Sequence, residues 1–181
     1  MIKLQGSLPN TIKVEGREFL VKTDFKYWLM VDEILQTRQV RLADLFFIFK
    51  GEKPTGDPEA ILKAIQDFIT NPNSTPHGKK QSERVMDYQQ DGEYIYASFL
   101  QAYGIDLLET NMHWHKFKAL VLGLPKSTIM AEIEAIRGYK KDNRKFDKIQ
   151  QELKEAWRLP DKHEKEKAEE MEKRLIELFG E

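Results

Sequence analysis

Cysteine is absent from the 181-residue chain, which excludes disulfides, thiolate metal sites and cysteine nucleophiles and suits a reducing cytoplasm. No apolar run approaches the roughly 18 residues that a membrane-spanning helix requires, and the N-terminus lacks a basic segment followed by an apolar one. We therefore expect a protein that is neither secreted by the usual signal nor inserted in a membrane.

Charge of one sign is not in excess, since 29 lysine and arginine residues stand against 30 aspartate and glutamate residues. Basic residues gather at 77–80 and 137–148, but acids lie close to each cluster. A nucleic-acid-binding surface normally carries a clearer basic excess. We therefore do not expect nucleic acid as a partner, and a small regulator that binds DNA or RNA is only a third function class.

Catalytic motifs are also missing, because the chain has no glycine-rich phosphate loop, no G-x-S-x-G and no H-E-x-x-H. Asp87, Asp91 and Glu93 lie beside aromatic residues. Catalytic carboxylates face each other across a cleft, however, and proximity in sequence does not arrange that. We interpret these three as a solvated helix face, and the sequence predicts neither enzyme activity nor a cofactor.

The histidine pair His113 and His115 raises the question of a metal site. On a helix, residues two apart point about 200° away from each other, so the pair cannot share an ion unless the segment is extended. No further ligand cluster with metal-binding spacing accompanies the pair. We interpret His113 as a partly buried histidine bonded to Asp106 or Glu109, and we predict no metal site.

The N-terminal half contains one short β pattern followed by helical patterns. Residues 11–21 alternate apolar and polar side chains around Glu15-Gly16, which predicts a β-hairpin. Thr23 or Asp24 can cap a helix that reaches about position 36, and a carboxylate before a proline opens another helix at 57–58. Residues 71–82 hold two prolines, a glycine and no apolar side chain, which predicts an exposed loop.

Residues 40–50 are apolar almost all round the predicted helix, because Phe47 and Ile48 widen a stripe that includes Leu45 and Phe46. Such a helix is either buried or in contact with a partner. Burial is the favoured interpretation, since aromatic residues are more often core than site. The run from Leu45 to Ile48 is nevertheless a candidate protein-binding surface.

The apolar stripe of residues 82–103 continues through Gly92, and two interpretations stay open. Either Gly92 is a packing contact inside one long helix, or Asp91 caps a new helix; the unbroken stripe favours the long helix. Gly104 then ends the segment in the left-handed conformation that glycine permits. Two more helices are predicted, one from Asn111 or Met112 to Leu122, and one from Ser127 or Thr128 to about Gly138 with Ile129, Ile133 and Ile136 as its apolar stripe.

The character changes at Lys140, since residues 140–181 carry twelve basic and twelve acidic side chains. Two amphipathic helices with narrow apolar stripes are predicted there, separated at Pro160. The second stripe supplies the other candidate protein-binding residues, which are Met171, Leu175, Leu178 and Phe179. The fold class is therefore mainly α: a multi-helix bundle with a small N-terminal β-hairpin at 1–139, and a charged C-terminal helical extension at 140–181.

The middle of the chain carries the runs DYQQDGEYIYASFLQAYGIDLLE, MHWHKFKALVLGLP and IRGYK, and upstream of them KTDFKYWL. Together these resemble the bacteriophage gene-product-fifteen family, found in siphophages and prophages of Gram-positive bacteria. The resemblance spans most of residues 8–139, and beyond residue 140 the chain is similar only in being charged and helical. The family offers no catalytic motif and no binding residues to carry over.

The resemblance implies a tail assembly chaperone of the host bacterial cytoplasm, which coats the tape-measure protein until tube subunits polymerise around it. The implied partners are the tape-measure protein and other phage tail proteins, and a chaperone for so long a chain is expected to form a homo-oligomer along it. A tape-measure protein is a long, helix-rich chain with exposed apolar stripes, which an apolar groove or helix face can bind. The alternative is a structural head–tail or tail component that remains in the virion.

Overall fold

The computed structural model describes residues 6–36, 40–70, 84–140 and 147–179. In chain order its elements are β1 (Thr11–Val14), β2 (Arg17–Leu20), α1 (Phe25–Gln36), a 3₁₀ helix (Leu42–Ile48), α2 (Pro58–Thr70), α3 (Gly92–Tyr103), α4 (Trp114–Leu122), α5 (Ile129–Arg137), α6 (Asp147–Ala156) and α7 (Lys162–Phe179). The predicted mainly α fold with a small N-terminal hairpin is confirmed. The loop predicted at 71–82 lies outside the described residues.

The hairpin forms where the alternating pattern predicts it, with β1 and β2 antiparallel and Ile12 opposite Phe19. Its turn places Glu15 at a φ of 46° and Gly16 at 87°, the positive values that a two-residue hairpin turn requires. Ile12, Val14 and Phe19 are buried, and β1 packs against α2. The hairpin therefore closes one side of the helical core.

Helices α1 and α2 begin at the predicted caps. The Asp24 carboxylate accepts the N–H of Lys26 at 3.0 Å, and the Asp57 carboxylate accepts the N–H groups of Glu59 and Ala60 at 3.1 and 3.3 Å. Each bond satisfies a backbone donor that the first helical turn leaves unpaired.

The stretch at 40–50 forms a 3₁₀ helix where an α-helical stripe was predicted. A 3₁₀ helix has three residues per turn, so Leu42, Leu45 and Ile48 lie on one side. Leu45 and Ile48 are completely buried. The apolar residues therefore follow a period of three rather than 3.6.

The favoured prediction of one long helix through Gly92 is wrong, because α3 begins at Gly92. The segment before it is held in a turn by side chains. Asp87 accepts the N–H groups of Gln89 and Gln90 at 2.8 and 3.1 Å, and Asp91 accepts the N–H of Asp87 at 2.9 Å. Such local bonds compete with helical ones, so the helix starts after them. At the other end of α3, Gly104 has a φ of 63°, as predicted.

Helices α4 and α5 depart slightly from their predicted patterns. Helix α4 starts at Trp114, two or three residues later than expected, because the His113 side chain accepts the N–H of His115 as a cap. In α5 the buried residues are Met130, Ile133 and Arg137, whereas Ile129 is exposed. The Ser98 hydroxyl accepts the N–H of Met130 at 3.1 Å, which holds the start of α5 against α3.

The core is centred on stacked aromatic rings. The Phe117 ring lies 4.6 Å from that of Phe25 and 5.4 Å from that of Phe99, so α4 joins α1 to α3. One turn further along α1, the Trp28 ring stacks on Phe68 of α2 at 4.2 Å. Aromatic pairs at these distances add about 0.5–1.5 kcal/mol each beyond the area they bury.

Helix α6 packs against α5, and Trp157 after it contacts Tyr94 of α3 with ring centroids 5.7 Å apart. The Trp157 carbonyl accepts a bond of 2.6 Å from Arg137 Nε. The division of the chain at residue 140 stays a prediction. None of the helices in the described ranges combines the length and apolar character needed to cross a membrane.

Candidate protein-binding surfaces

The first predicted surface, Leu45 to Ile48, contributes mainly to the core. Leu45 and Ile48 are fully buried, while Phe46 and Phe47 are half-buried. The Phe46 ring meets that of Phe49 edge-on at 6.0 Å, and Phe47 lies 6.3 Å from Tyr27. Only parts of the two phenylalanine rings are accessible to a partner.

The second predicted surface is exposed where the structure describes it. Met171 and Leu175 on α7 are 65% and 50% exposed, and Ile176, which the stripe prediction omitted, is 61% exposed. The side chains of Leu178 and Phe179 lie outside the described residues. We call Met171, Leu175 and Ile176 the α7 stripe.

Helix α7 begins with a reciprocal cap. Asp161 Oδ1 accepts the N–H of Glu164, and Glu164 Oε2 accepts the N–H of Asp161, both at 2.9 Å. This capping box satisfies two backbone donors at the start of the helix. Arg158 adds a bond of 2.7 Å to Glu164, so the start of α7 is held to the segment that follows α6.

A groove that no sequence pattern indicated opens between α1, α3 and α4, with a volume of about 240 Å³. Its apolar walls include Phe25, Leu29, Ile95, Tyr96, Leu107 and Phe117. Gly92 lies in the wall formed by α3, and Leu108 at the edge is 74% exposed. We call this feature the α1–α3–α4 groove.

The carboxylates predicted to form a solvated helix face are buried instead, apart from Glu93. Asp91 receives two bonds from Arg137, at 2.6 and 2.8 Å, and Asp87 lies 2.8 Å from Arg84. Guanidinium partners compensate the cost of burying a carboxylate, which is why these acids leave the surface. Glu134 lies beside this site, and burial together with the charge of Asp91 raises its pKa.

The histidine pair is closer than the helical argument allowed, since residue 113 is extended and precedes the helix. The two rings stack at 5.3 Å. His113 bonds to the Pro9 carbonyl at 2.9 Å and to the N–H of His115 at 3.1 Å, and not to Asp106 or Glu109 as predicted. Within the described parts of the chain, no group of three potential ligands could hold a metal ion.

Comparison with protein families gives a match to the family described as bacteriophage Gp15 protein, over residues 4–162. The chain belongs to this family. Membership makes it a bacteriophage protein of the structural or morphogenetic kind and confirms the resemblance noted in the sequence. No curated protein and no solved structure matches the chain.

The match with the Gp15 family includes the α1–α3–α4 groove but not the α7 stripe. Residues 4–162 include every residue that lines the α1–α3–α4 groove. The match ends where α7 begins, so the α7 stripe lies beyond it. The groove is thus part of the region that this chain has in common with the family, whereas the stripe belongs to a segment outside it.

Proposed function

We propose that this phage protein is a tail assembly chaperone that binds the tape-measure protein in the host bacterial cytoplasm before the tube polymerises. The α7 stripe carries the proposal, because its three large apolar side chains are at least half exposed on one helix. An amphipathic helix with such a stripe can pair with the apolar face of another helix. Family membership supports the phage morphogenesis context.

The energetics favour several weak contacts over one strong contact. Burying three large apolar side chains contributes about 1.5–3 kcal/mol each relative to full exposure. Association itself costs about 4–15 kcal/mol in lost freedom of motion. One copy would therefore hold its partner weakly, and a long partner that engages many copies would gain from multivalency. We expect the chaperone to act as a multimer along the tape-measure protein.

Co-expression with the tape-measure protein tests this proposal. Leu175→Asp places a charge in the α7 stripe and should reduce co-purification at least tenfold. Glu177→Ala is the matched control, since residue 177 is also exposed but lies about 200° around the helix from Leu175. Capture by Leu175→Asp equal to that of the control would contradict a role for the stripe.

Mass spectrometry of purified phage particles separates the chaperone from a structural component. A chaperone acts during assembly and should be absent or far below stoichiometric amounts in mature virions. Stoichiometric presence would overturn the chaperone proposal and favour a head–tail or tail component.

A further inference from the structure

The α1–α3–α4 groove has room for one bulky apolar side chain. Its volume is about 240 Å³, whereas an engineered apolar cavity of about 150 Å³ in another protein is large enough to bind benzene. The walls are aromatic and aliphatic, and the exposed Leu108 extends them to the surface. Concave apolar space at a surface is the usual form of a binding site.

Gly92 lines this space and adds no side chain to it. A Cβ atom added at residue 92 would meet no atom within 4 Å, so the backbone there borders open space. The residue is helical and does not need the positive φ that glycine permits. Glycine in a helix is less favourable than alanine by up to about 1 kcal/mol. The fold should therefore accommodate a larger side chain, and because Gly92 lines the groove we expect that side chain to reduce the groove's volume.

The rim of the groove is mainly acidic. Asp106 accepts a bond of 3.2 Å from the Tyr96 hydroxyl, and Glu109 lies close enough to act on the same tyrosine. Among the described residues that line the groove, Lys26 is the only cation, and its Nζ bonds to the Leu108 carbonyl. Two carboxylates, Asp106 and Glu109, against the one ammonium of Lys26 favour an occupant with positive charge beside its apolar part.

The walls also favour one backbone conformation for the occupant, an α-helix. They are formed largely by side chains of helices, and the Leu108 carbonyl at the rim already accepts a bond of 2.8 Å from Lys26 Nζ. An extended peptide would find few backbone partners here and would leave its own groups unpaired. A helix satisfies its backbone internally and presents only side chains.

We propose that the α1–α3–α4 groove binds a single leucine or phenylalanine side chain of a partner helix in which lysine or arginine flanks that anchor. None of the lining residues belongs to α7, so the groove is a second binding site, separate from the α7 stripe. We specify the partner helix only by its apolar anchor and its flanking positive charge. The test below therefore does not depend on whether the chain binds a tape-measure protein.

Two fluorescein-labelled helical peptides test this inference by anisotropy against the full-length protein. Both are 18-residue alanine-based helices with one central leucine, flanked one turn away on each side by lysine in one peptide and by glutamate in the other. The lysine peptide should bind at least tenfold more tightly than the glutamate peptide. Glu109→Lys should narrow that preference.

Substitutions at the groove locate the binding. Gly92→Leu should weaken binding of the lysine peptide at least tenfold, whereas Gly92→Ala, which adds only a methyl group, should change it less than threefold. Ala97→Leu places the same side chain at an exposed position of α3 outside the groove and should leave binding unchanged. Leu108→Asp is a second groove variant at an exposed side chain, and circular dichroism melts show that each variant is folded.

Three results would overturn the inference: no binding of the lysine peptide to the wild-type protein, equal affinity for the two peptides, or unchanged affinity in both Gly92→Leu and Leu108→Asp. Leu175→Asp in the α7 stripe should leave peptide binding unchanged. An experiment that rejects the chaperone proposal can therefore be distinguished from one that rejects the inference about the groove.

Discussion

Arg137→Met should be among the most destabilising single substitutions in this protein. The Arg137 guanidinium bonds to both oxygens of Asp91, and to the carbonyls of Val85 at 3.0 Å and Trp157 at 2.6 Å. The Arg137 side chain is 7% exposed and that of Asp91 is 1% exposed. Methionine keeps much of the volume but leaves the Asp91 carboxylate buried without its cation.

The expected loss follows from that burial. Removing one partner of a buried ion pair costs about 3–5 kcal/mol, because the other charge stays in a poorly solvating site. Typical domains have a free energy of unfolding of about 5–15 kcal/mol, so the loss is a large share of the total. For a chain of this size it corresponds to a melting temperature lower by roughly 6–20 °C.

Urea denaturation followed by circular dichroism measures the effect, with unfolding free energies extrapolated to water. The matched control is Arg17→Ala, which breaks an ion pair of 2.7 Å with Glu52 in which both side chains are about two-thirds exposed. That change should cost at most about 1 kcal/mol. The double variant Asp91→Leu/Arg137→Met removes both charges and should cost less than Arg137→Met alone. A loss from Arg137→Met as small as the control's would refute the reasoning.

Three further predictions concern pH, chain length and a helix cap. Burial lowers the pKa of His115 from 6.5 to about 4. As the pH falls from 6.5 to 4, the unfolded chain binds a proton at His115 that the folded chain does not, so the free energy of unfolding should drop by about 1–3 kcal/mol. His115→Gln should make the free energy of unfolding depend less on pH over this range. A chain ending at Asp161 keeps Trp157 and should unfold at the wild-type urea midpoint, whereas a chain ending at Lys140 should unfold at a lower urea concentration. Equal urea midpoints for the two shortened chains would contradict a stabilising role for Trp157. Gly104→Ala puts a Cβ on a left-handed residue and should cost about 1–2 kcal/mol in the same assay, and an unchanged midpoint would contradict this.

Local signals were enough where a pattern and its cap lie within a few residues. Asp57 before Pro58, Glu15-Gly16 between alternating strands, and Gly104 after an apolar stripe each behave as predicted. In each case the interaction that decides the backbone is short-range, so one stretch of sequence contains both its parts.

Sequence reasoning was wrong where a distant residue decides the structure. The stripe through Gly92 is compatible with one helix, but Asp87 and Asp91 fold the segment before it into a turn, and Asp91 is held by Arg137, 46 residues further along. The burial of Asp91 was missed for the same reason, because its partner Arg137 is not visible in the local pattern, whereas Arg84, the partner of Asp87, lies only three residues away.

The candidate surfaces were predictable in part. Met171 and Leu175 were identified by helical spacing, and their role in binding stays a prediction. The α1–α3–α4 groove could not have been found, since its walls come from four separate segments between Phe25 and Phe117. The only local trace was Gly92, a small residue on the apolar side of a stripe.

The contacts of Arg137 also bear on the lifetime of the folded state. Its guanidinium joins groups 52, 46 and 20 residues away along the chain. Two of these contacts each close a long loop of the chain, and the entropy lost in closing a loop comes before the contact stabilises it. We therefore expect the cluster to form after the folding transition state. Interactions that form late slow unfolding and have little effect on the folding rate. We therefore expect the buried ion pair to lengthen the lifetime of the folded state with little effect on the folding rate.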